Sequence, residues 1–214
     1  MNHKHIRFQI FFYSVGCIFL ALGITLSTKT GLGVSPIISM PFVISSIWNL
    51  NFAATTFVVY TLLVGIEFFL RRPNYHWKDI LQIPFSFVFS ILLDFFGMFP
   101  INKFPSFWQN FILLTIAIFF TGVGAAMMVN TNLIPNPADG LAHTIGEVSK
   151  KGMGLGKNVI DITSVFISCI LSLFFAHQLI GIGIGTIFAM VCVGRVISLF
   201  NYFFKSKITT LIEE

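Results

Sequence analysis

The residues best suited to chemistry in this sequence are ionisable side chains that lie inside apolar stretches. Asp139 and His143 are one helical turn apart, Asp161 lies in the next apolar run, and Arg195 lies in the last one. A guanidinium group binds carboxylate or phosphate through a planar fork, and histidine changes its charge near neutral pH. These residue types indicate binding of an anionic solute and transfer of protons, for which the candidate groups are Asp94, Asp139, His143 and Asp161.

The same residues have structural interpretations that the sequence leaves open. Arg195 and Asp161 reach similar depths from opposite sides, so they can form an ion pair that a solute would break. Asp139 lies in the first turn of a short helix, where a carboxylate complements the helix dipole. His143 can simply be hydrogen-bonded at the membrane interface. No Ser/His pair or metal-ligand spacing is present in the sequence, so we expect neither an enzyme nor a bound metal or cofactor.

Composition places these residues in a membrane. Hydrophobic residues make up 56% of the chain, charged residues make up 10%, and the mean hydropathy is +0.88. Soluble proteins are about a quarter charged. Six apolar runs are long enough to cross about 30 Å of hydrocarbon: residues 7–28, 52–70, 79–96, 108–129, 158–176 and 182–204. The sequence therefore predicts an all-α membrane protein, with residues 1–214 forming one membrane domain in contact with the lipid bilayer.

The basic residues indicate how the helices are oriented. With the N-terminus in the cytoplasm, only Lys29 and Lys103 fall outside. The Lys and Arg residues that then lie on the cytoplasmic side are Lys4, Arg7, Arg71, Arg72, Lys78, Lys150, Lys151, Lys157, Lys205 and Lys207. Because cytoplasmic loops carry an excess of Lys and Arg, we expect both termini to be cytoplasmic. Contact with anionic lipid explains the net charge of +5 without a nucleic-acid partner.

The sequence repeats itself after about 101 residues. The first copy covers about residues 7–98 and the second about 106–204. Corresponding pairs include Gly23 and Gly124, Leu32 and Leu133, Pro36 and Pro137 and, after small slips, Phe69 and Phe174, Ile83 and Ile187, and Phe96 and Phe200. Three spanning helices per copy make an odd number, so the second copy must enter the membrane from the opposite side. Inverted-topology repeats are typical of transporters whose site lies between the halves.

Each copy also contains an apolar segment that is too short to span, at residues 36–48 and 137–148. Ser35 and Asn136 precede Pro36 and Pro137, and an N-cap residue followed by proline is a helix-start signal. We interpret the segments as half-helices or re-entrant segments, one from each face, whose N-termini can hold an anion. Interfacial helices, or two further spans, are the alternatives.

Polar stripes run along three of the predicted spans. They comprise Gln82, Ser86, Ser90 and Asp94 on the third, Lys157, Asp161, Ser164, Ser168 and Ser172 on the fifth, and Thr186 and Ser198 with Met190 and Gly194 on the sixth. Polar groups in hydrocarbon are costly unless satisfied, so the stripes predict a polar interior. Glu67 and Arg71 have the spacing of an ordinary i, i+4 helical pair, and no site is expected there.

Several segments resemble a known group of bacterial membrane proteins. They are residues 23–36 (GITLSTKTGLGVSP), residues 136–140 (NPADG), residues 156–161 (GKNVID) and residues 185–200 (GTIFAMVCVGRVISLF). Together they resemble the YczE/YyaS/YitT group, an uncharacterised group of integral membrane proteins, over nearly the whole chain. The resemblance implies a location in the bacterial plasma membrane and no particular chemistry.

The features together predict a secondary transporter of a small organic, anionic solute that works by alternating access with proton coupling. The predicted solute-binding residues are Ser35, Asn136, Asp139, His143, Asp161 and Arg195. The alternatives are a substrate-binding or accessory subunit of an energy-coupled importer or membrane enzyme, and a passive channel. Self-association into a homo-oligomer is left open.

Overall fold

The computed structural model describes residues 3–72, 76–101 and 103–213, and within these residues the chain forms eight α-helices. The helices are α1 (His3–Lys29), α2 (Pro36–Ile47), α3 (Phe52–Leu70), α4 (Gln82–Gly97), α5 (Phe107–Asn130), α6 (Pro137–Val148), α7 (Met153–Ala176) and α8 (Ile184–Glu213). A short 3-10 helix, Trp77–Leu81, leads into α4.

Six of the helical segments in the described part of the chain are long and apolar enough to cross a membrane. They are His5–Lys29, Phe52–Leu70, Trp77–Gly97, Phe107–Asn130, Met153–Ala176 and Ile184–Ile208. This confirms the six spans predicted from hydropathy, and the chain is a multi-pass membrane protein. The remaining helices, α2 and α6, have 12 residues each and are about 18 Å long, which is too short to cross.

The two short helices begin where the sequence signals predicted. Pro36 and Pro137 occupy the first helical positions, where the missing N–H leaves no hydrogen bond unmade. Asn136 caps α6, because its side-chain oxygen accepts a hydrogen bond from the Ala138 N–H at 3.1 Å. Ser35 precedes α2 without a side-chain capping bond.

Helices α1 and α5 pack closely in opposite directions. Gly16 lies against Gly124 and Met127, whereas Gly23 lies against Ala117 and Thr121, so the α5 contact moves backwards as α1 advances. A Cβ atom at Gly124 would lie 2.6 Å from the Gly16 carbonyl oxygen. Only glycine permits this approach of the two backbones, as is common between membrane helices.

Helices α5 and α8 run in the same direction. The Phe111 ring packs on Phe188 near the start of both helices, and Asn130 donates to Asn201 at 2.7 Å farther along both. Since α1 is antiparallel to α5, α8 ends at the face of the bundle where α1 begins. We call this the terminal face and the opposite one the distal face. If all six long helices cross the membrane, a crossing by α2 would make α1 and α5 parallel, and a crossing by α6 would make α5 and α8 antiparallel. The observed directions therefore require that neither α2 nor α6 crosses.

Both short helices lie between α3 and α7. Near the N-terminus of α2, Ser39 shares a 2.8 Å hydrogen bond with Ser168, well inside α7. At its other end Trp48 contacts Phe175 at the distal end of α7. Helix α6 ends instead at the terminal face, where Glu147 meets Arg71. Thus the two short helices end at opposite faces, with their N-termini deeper in the bundle.

The polar stripes are buried on two of the three helices. Gln82, Ser86 and Ser90 are buried on α4, and so are the stripe residues of α7 from Asp161 to Ser172. On α8 the expectation is wrong for this structure, because Met190, Gly194 and Ser198 are exposed and only Thr186 is buried. The physical reason is that α8 packs mainly on α5 and leaves this face uncovered.

Candidate functional site

A cavity of about 280 Å³ lies near the terminal face, between the ends of α3 and α5 and the first half of α6. The polar part of its lining comes from Glu67, Arg71, Asp79, Asn132, Asn136, Asp139 and His143. The end of α5 and the loop before α6 supply an apolar wall. A concave apolar site with a few converging polar groups is the usual form of a small-molecule site.

Arg71, the residue after α3, links this helix to α4 and α6. Its Nη1 lies 3.0 Å from the Asp79 carboxylate and also contacts His76, while its Nη2 lies 3.2 Å from Glu147. Its Nε donates to the Thr144 hydroxyl at 2.8 Å. The N–H donors of the guanidinium group are thus largely used by protein acceptors. Arg71 holds the cavity wall in position and has few donors left for binding an anion.

Glu67 is the most deeply buried carboxylate of the site, with 1% of its surface exposed. It accepts hydrogen bonds from the Gln82 amide at 2.9 Å and from the Thr144 hydroxyl at 3.0 Å, and it lies 3.8 Å from Arg71. A buried charge persists only where such partners surround it. Glu67 and Arg71 thus form the expected i, i+4 pair, and their further contacts to Gln82 and Thr144 join three helices.

A second charged group adjoins the cavity on the α7 side. The Lys157 ammonium lies 3.5 Å from the Asp139 carboxylate on α6 and 3.6 Å from Asp161, one turn farther along α7. Asp161 is buried, and among the described residues its Oδ1 has no hydrogen-bond partner. The single Lys157 ammonium group thus forms ion pairs with two carboxylates, Asp139 and Asp161.

Negative charge dominates the region. Five of the eight acidic residues of the chain gather here, and they are Glu67, Asp79, Asp139, Glu147 and Asp161. In these ion pairs, the only Lys or Arg side chains that balance the five carboxylates are Arg71 and Lys157. His143 is half exposed, and its Nδ1 lies 3.5 Å from Glu147. The arrangement attracts a cation more readily than an anion.

The N-termini of the short helices offer few free donors. On α6 the Asp139 and Gly140 N–H groups donate to the Asn136 carbonyl at 2.9 and 2.8 Å, and the Asn136 side chain takes the Ala138 N–H. On α2 the Ser35 carbonyl likewise accepts two N–H groups. An anion at the N-terminus of α6 would have to displace these bonds.

Three of the residues predicted to bind solute line one cavity. Asn136, Asp139 and His143 do so directly, and Asp161 is joined to Asp139 through Lys157. All four come from α6, its N-cap residue and the first half of α7, so the sequence pattern around the second short helix located this side of the site.

The other predicted residues lie elsewhere. Ser35 precedes α2, which ends at the opposite face. Asp94 accepts a 2.8 Å hydrogen bond from Asn51 near the distal end of α4. Arg195 is exposed on α8 and, among the described residues, has no ion pair with Asp161 or any other group. The expected Arg195–Asp161 pair is therefore absent from this structure.

Sequence reasoning missed one wall of the cavity, which consists of Glu67, Arg71 and Asp79 with Gln82 and Thr144 behind them. A signal was available. Glu67 lies inside an apolar span, where a carboxylate needs specific partners. Its i, i+4 spacing to Arg71 suggested that Arg71 was this partner, so contacts to α4 and α6 were not expected.

Comparisons with known proteins identify a family and a bacterial homologue of this chain. The model of a family of unknown function, DUF6198, matches residues 7–202. The chain is a homologue of the uncharacterized protein YyaS of Bacillus subtilis (strain 168), with 25% identity over 185 residues that cover 86% of this chain and 87% of YyaS. This confirms the resemblance seen in the sequence. No solved structure matches the chain.

Proposed function

The chain belongs to DUF6198, a family of unknown function, and we propose from its site that it is a secondary transporter which moves a small solute by alternating access. Its place is the bacterial plasma membrane, with both termini in the cytoplasm. The terminal face is then the cytoplasmic face, and it carries the cavity.

An inverted repeat of two halves underlies the proposal. Gly23 of the first copy lies against Ala117. Gly124, the counterpart of Gly23, lies against Gly16, the counterpart of Ala117. The two contacts are therefore equivalent: each becomes the other when the first copy is exchanged with the second. A two-fold axis between the antiparallel helices α1 and α5 requires this equivalence. The short helices fit the same exchange, because each packs on both α3 and α7.

The observation that carries the proposal is a contact that is closed at one face and open at the other. At the distal face, the Val34 N–H donates to the Gly181 carbonyl at 2.9 Å. The Gly185 N–H donates to the Leu32 carbonyl at 2.8 Å. These bonds seal the loop before α2 against the loop before α8.

At the terminal face the corresponding loops are separated by the cavity. Leu133 and Pro135, the counterparts of Leu32 and Val34, line it from one side. Asp79 lines it from the other, and it corresponds to Gly183, because Ile83 corresponds to Ile187. Two equivalent gates in opposite states are the arrangement expected of a carrier open to one side only.

The charges around the cavity favour a solute that carries a positive group, such as an amine or a zwitterion. Carboxylates outnumber cations there, and the Arg71 donors are occupied by the protein. The anion predicted from the sequence would need donors that the described residues already use. A volume of about 280 Å³ suits a small metabolite. Proton exchange at Asp139 or Glu67 would couple solute movement to the proton gradient across the membrane.

Purified protein provides the test. Small amines, zwitterions and carboxylic acids are screened for thermal stabilisation, since a ligand of the folded state raises its apparent stability. The stabilising compound is then assayed for uptake into proteoliposomes with and without a pH gradient. Saturable uptake with counterflow, without any added subunit, supports the proposal. Uptake that never saturates indicates a channel, binding without uptake indicates an accessory subunit, and stabilisation by acids alone refutes the cationic site.

A further inference from the structure

Helix α8 lacks the packing that its counterpart α4 has. Helix α4 packs along α3, where the Phe57 and Phe87 rings lie 5.8 Å apart and the Tyr60 and Phe89 rings 6.1 Å apart. Among the described residues, α8 has no comparable packing along α7 and rests mainly on α5. The two halves therefore differ in how their last helix is held.

The uncovered face of α8 is the face that α4 buries. Ser86 and Ser90 are buried on α4, whereas their counterparts Met190 and Gly194 are exposed. Arg195 lies beside them, near the middle of the span Ile184–Ile208. A cation exposed at that depth is costly in lipid, and an ion pair with a carboxylate is one arrangement that lowers this cost.

Helix α7 of the same chain carries that carboxylate. Lys157 is shared between Asp139 and Asp161, while Arg195 has no partner among the described residues. If Asp161 changed partner from Lys157 to Arg195, each of the two cations would hold one carboxylate. Lys157 would then remain with Asp139 at the cavity.

The repeat also supplies the register. The counterparts of Phe57 and Phe87 are Ile162 and Val191, and both are exposed in this structure. If these two residues meet in antiparallel helices, Arg195 falls beside Asn158, four residues back along α7.

A second pair of corresponding residues gives another estimate of where Arg195 would lie along α7. Tyr60 and Phe89 correspond to Val165 and Val193, and contact between this pair places Arg195 beside Thr163. Asp161 lies between Asn158 and Thr163, so either register brings the guanidinium within reach of it.

We propose that α8 closes onto α7 in the opposite transport state, where Asp161 forms an ion pair with Arg195 in place of its present ion pair with Lys157. This inference rests on the proposed alternating-access function. The partner exchange links closure to the solute site, because Lys157 is then free to neutralise Asp139 at the cavity. The present structure has the unexchanged arrangement.

Cysteine crosslinking in proteoliposomes tests the closure. In a background without Cys17, Cys169 and Cys192, the pair Ile162→Cys with Val191→Cys is oxidised, and the products are separated by mass spectrometry. We expect a disulfide within one chain. The pair Phe57→Cys with Phe87→Cys is the control, because those positions already touch.

The ion pair has its own test in the same background. Arg195→Gln should lower the Ile162–Val191 crosslink about threefold or more, as expected for loss of an interhelical polar contact in a membrane. Arg195→Lys should retain most of it, and the control pair reports that the fold persists. An unchanged yield in Arg195→Gln overturns the partner exchange.

Two results overturn the closure itself. One is absence of the crosslink while the control pair reacts, and the other is a crosslink found only between chains, which makes this face an interface between copies. Either result in a protein that transports solute leaves the proposed function standing. An intrachain crosslink in a protein that transports nothing supports closure and removes the function.

Discussion

Replacing Glu67 separates its structural role from its charge. In Glu67→Ala the Gln82 amide and the Thr144 hydroxyl each lose their acceptor in a buried site. A buried donor left without a partner costs about 1–3 kcal/mol, so the two together should lower the free energy of unfolding by about 2–6 kcal/mol. For a chain of this length the midpoint of thermal unfolding should fall by on the order of 10 °C.

Glu67→Gln keeps the shape and removes the charge. Its side-chain oxygen can still accept from Thr144, and the Gln82 Oε1, which has no partner among the described residues, can turn to accept from the new amide. Stability should therefore change by about 1 kcal/mol or less. Binding of a cationic solute should weaken about tenfold or more, because one full charge leaves the cavity wall.

Thermal unfolding of purified protein, with and without the amine selected by screening, measures both effects. Glu147→Ala is the matched control, because this carboxylate also touches Arg71 but is half exposed, and its loss should cost no more than about 1 kcal/mol. Equal stability of Glu67→Ala and Glu67→Gln would refute the buried hydrogen bonds. Unchanged or tighter amine binding by Glu67→Gln would refute the cation site.

Three further predictions concern packing, charge and orientation. Gly23→Ala places a Cβ 2.6 Å from the Ala117 carbonyl oxygen and should destabilise the fold by about 1–3 kcal/mol, whereas Gly65→Ala, with open space around it, should be neutral in the same unfolding assay. Lys157→Gln should cost about 1–2 kcal/mol, since its side chain is 36% exposed, and adding Asp139→Asn should recover part of the loss in a double-mutant cycle; strict additivity would contradict the pairing. A cysteine replacing Lys103 should react with an impermeant maleimide on intact cells, and labelling only after lysis would reverse the proposed orientation.

Local signals in the sequence were sufficient for the helices. Hydropathy placed the second span at residues 52–70, as found, because lipid imposes a length and a composition on every crossing. Proline after a capping residue located both short helices, because the first turn of a helix needs no N–H at that position.

Contacts between distant helices were beyond those signals. The spacing of Glu67 and Arg71 describes one helix surface, and nothing local indicates that Thr144 and Gln82 close around the carboxylate. Arg195 was expected inside because polar groups avoid lipid, but which neighbour covers α8 depends on how whole helices pack. Spacing along one helix gives the face on which a residue lies, and packing decides what that face meets.

The glycine contact between α1 and α5 also bears on how such a chain could arise. With only the first copy present, the surface around Gly16 and Gly23 would face lipid without a partner that fits its shallow groove. Under the proposed inverted repeat, a half-length ancestor would have had to pair with a second copy of itself inserted in the opposite orientation. Its loops could then carry little bias in Lys and Arg, since one polypeptide had to enter the membrane both ways. Fusion of two genes would then have allowed each half to acquire its own charge pattern, and the ten-to-two distribution of basic residues in the proposed orientation agrees with this.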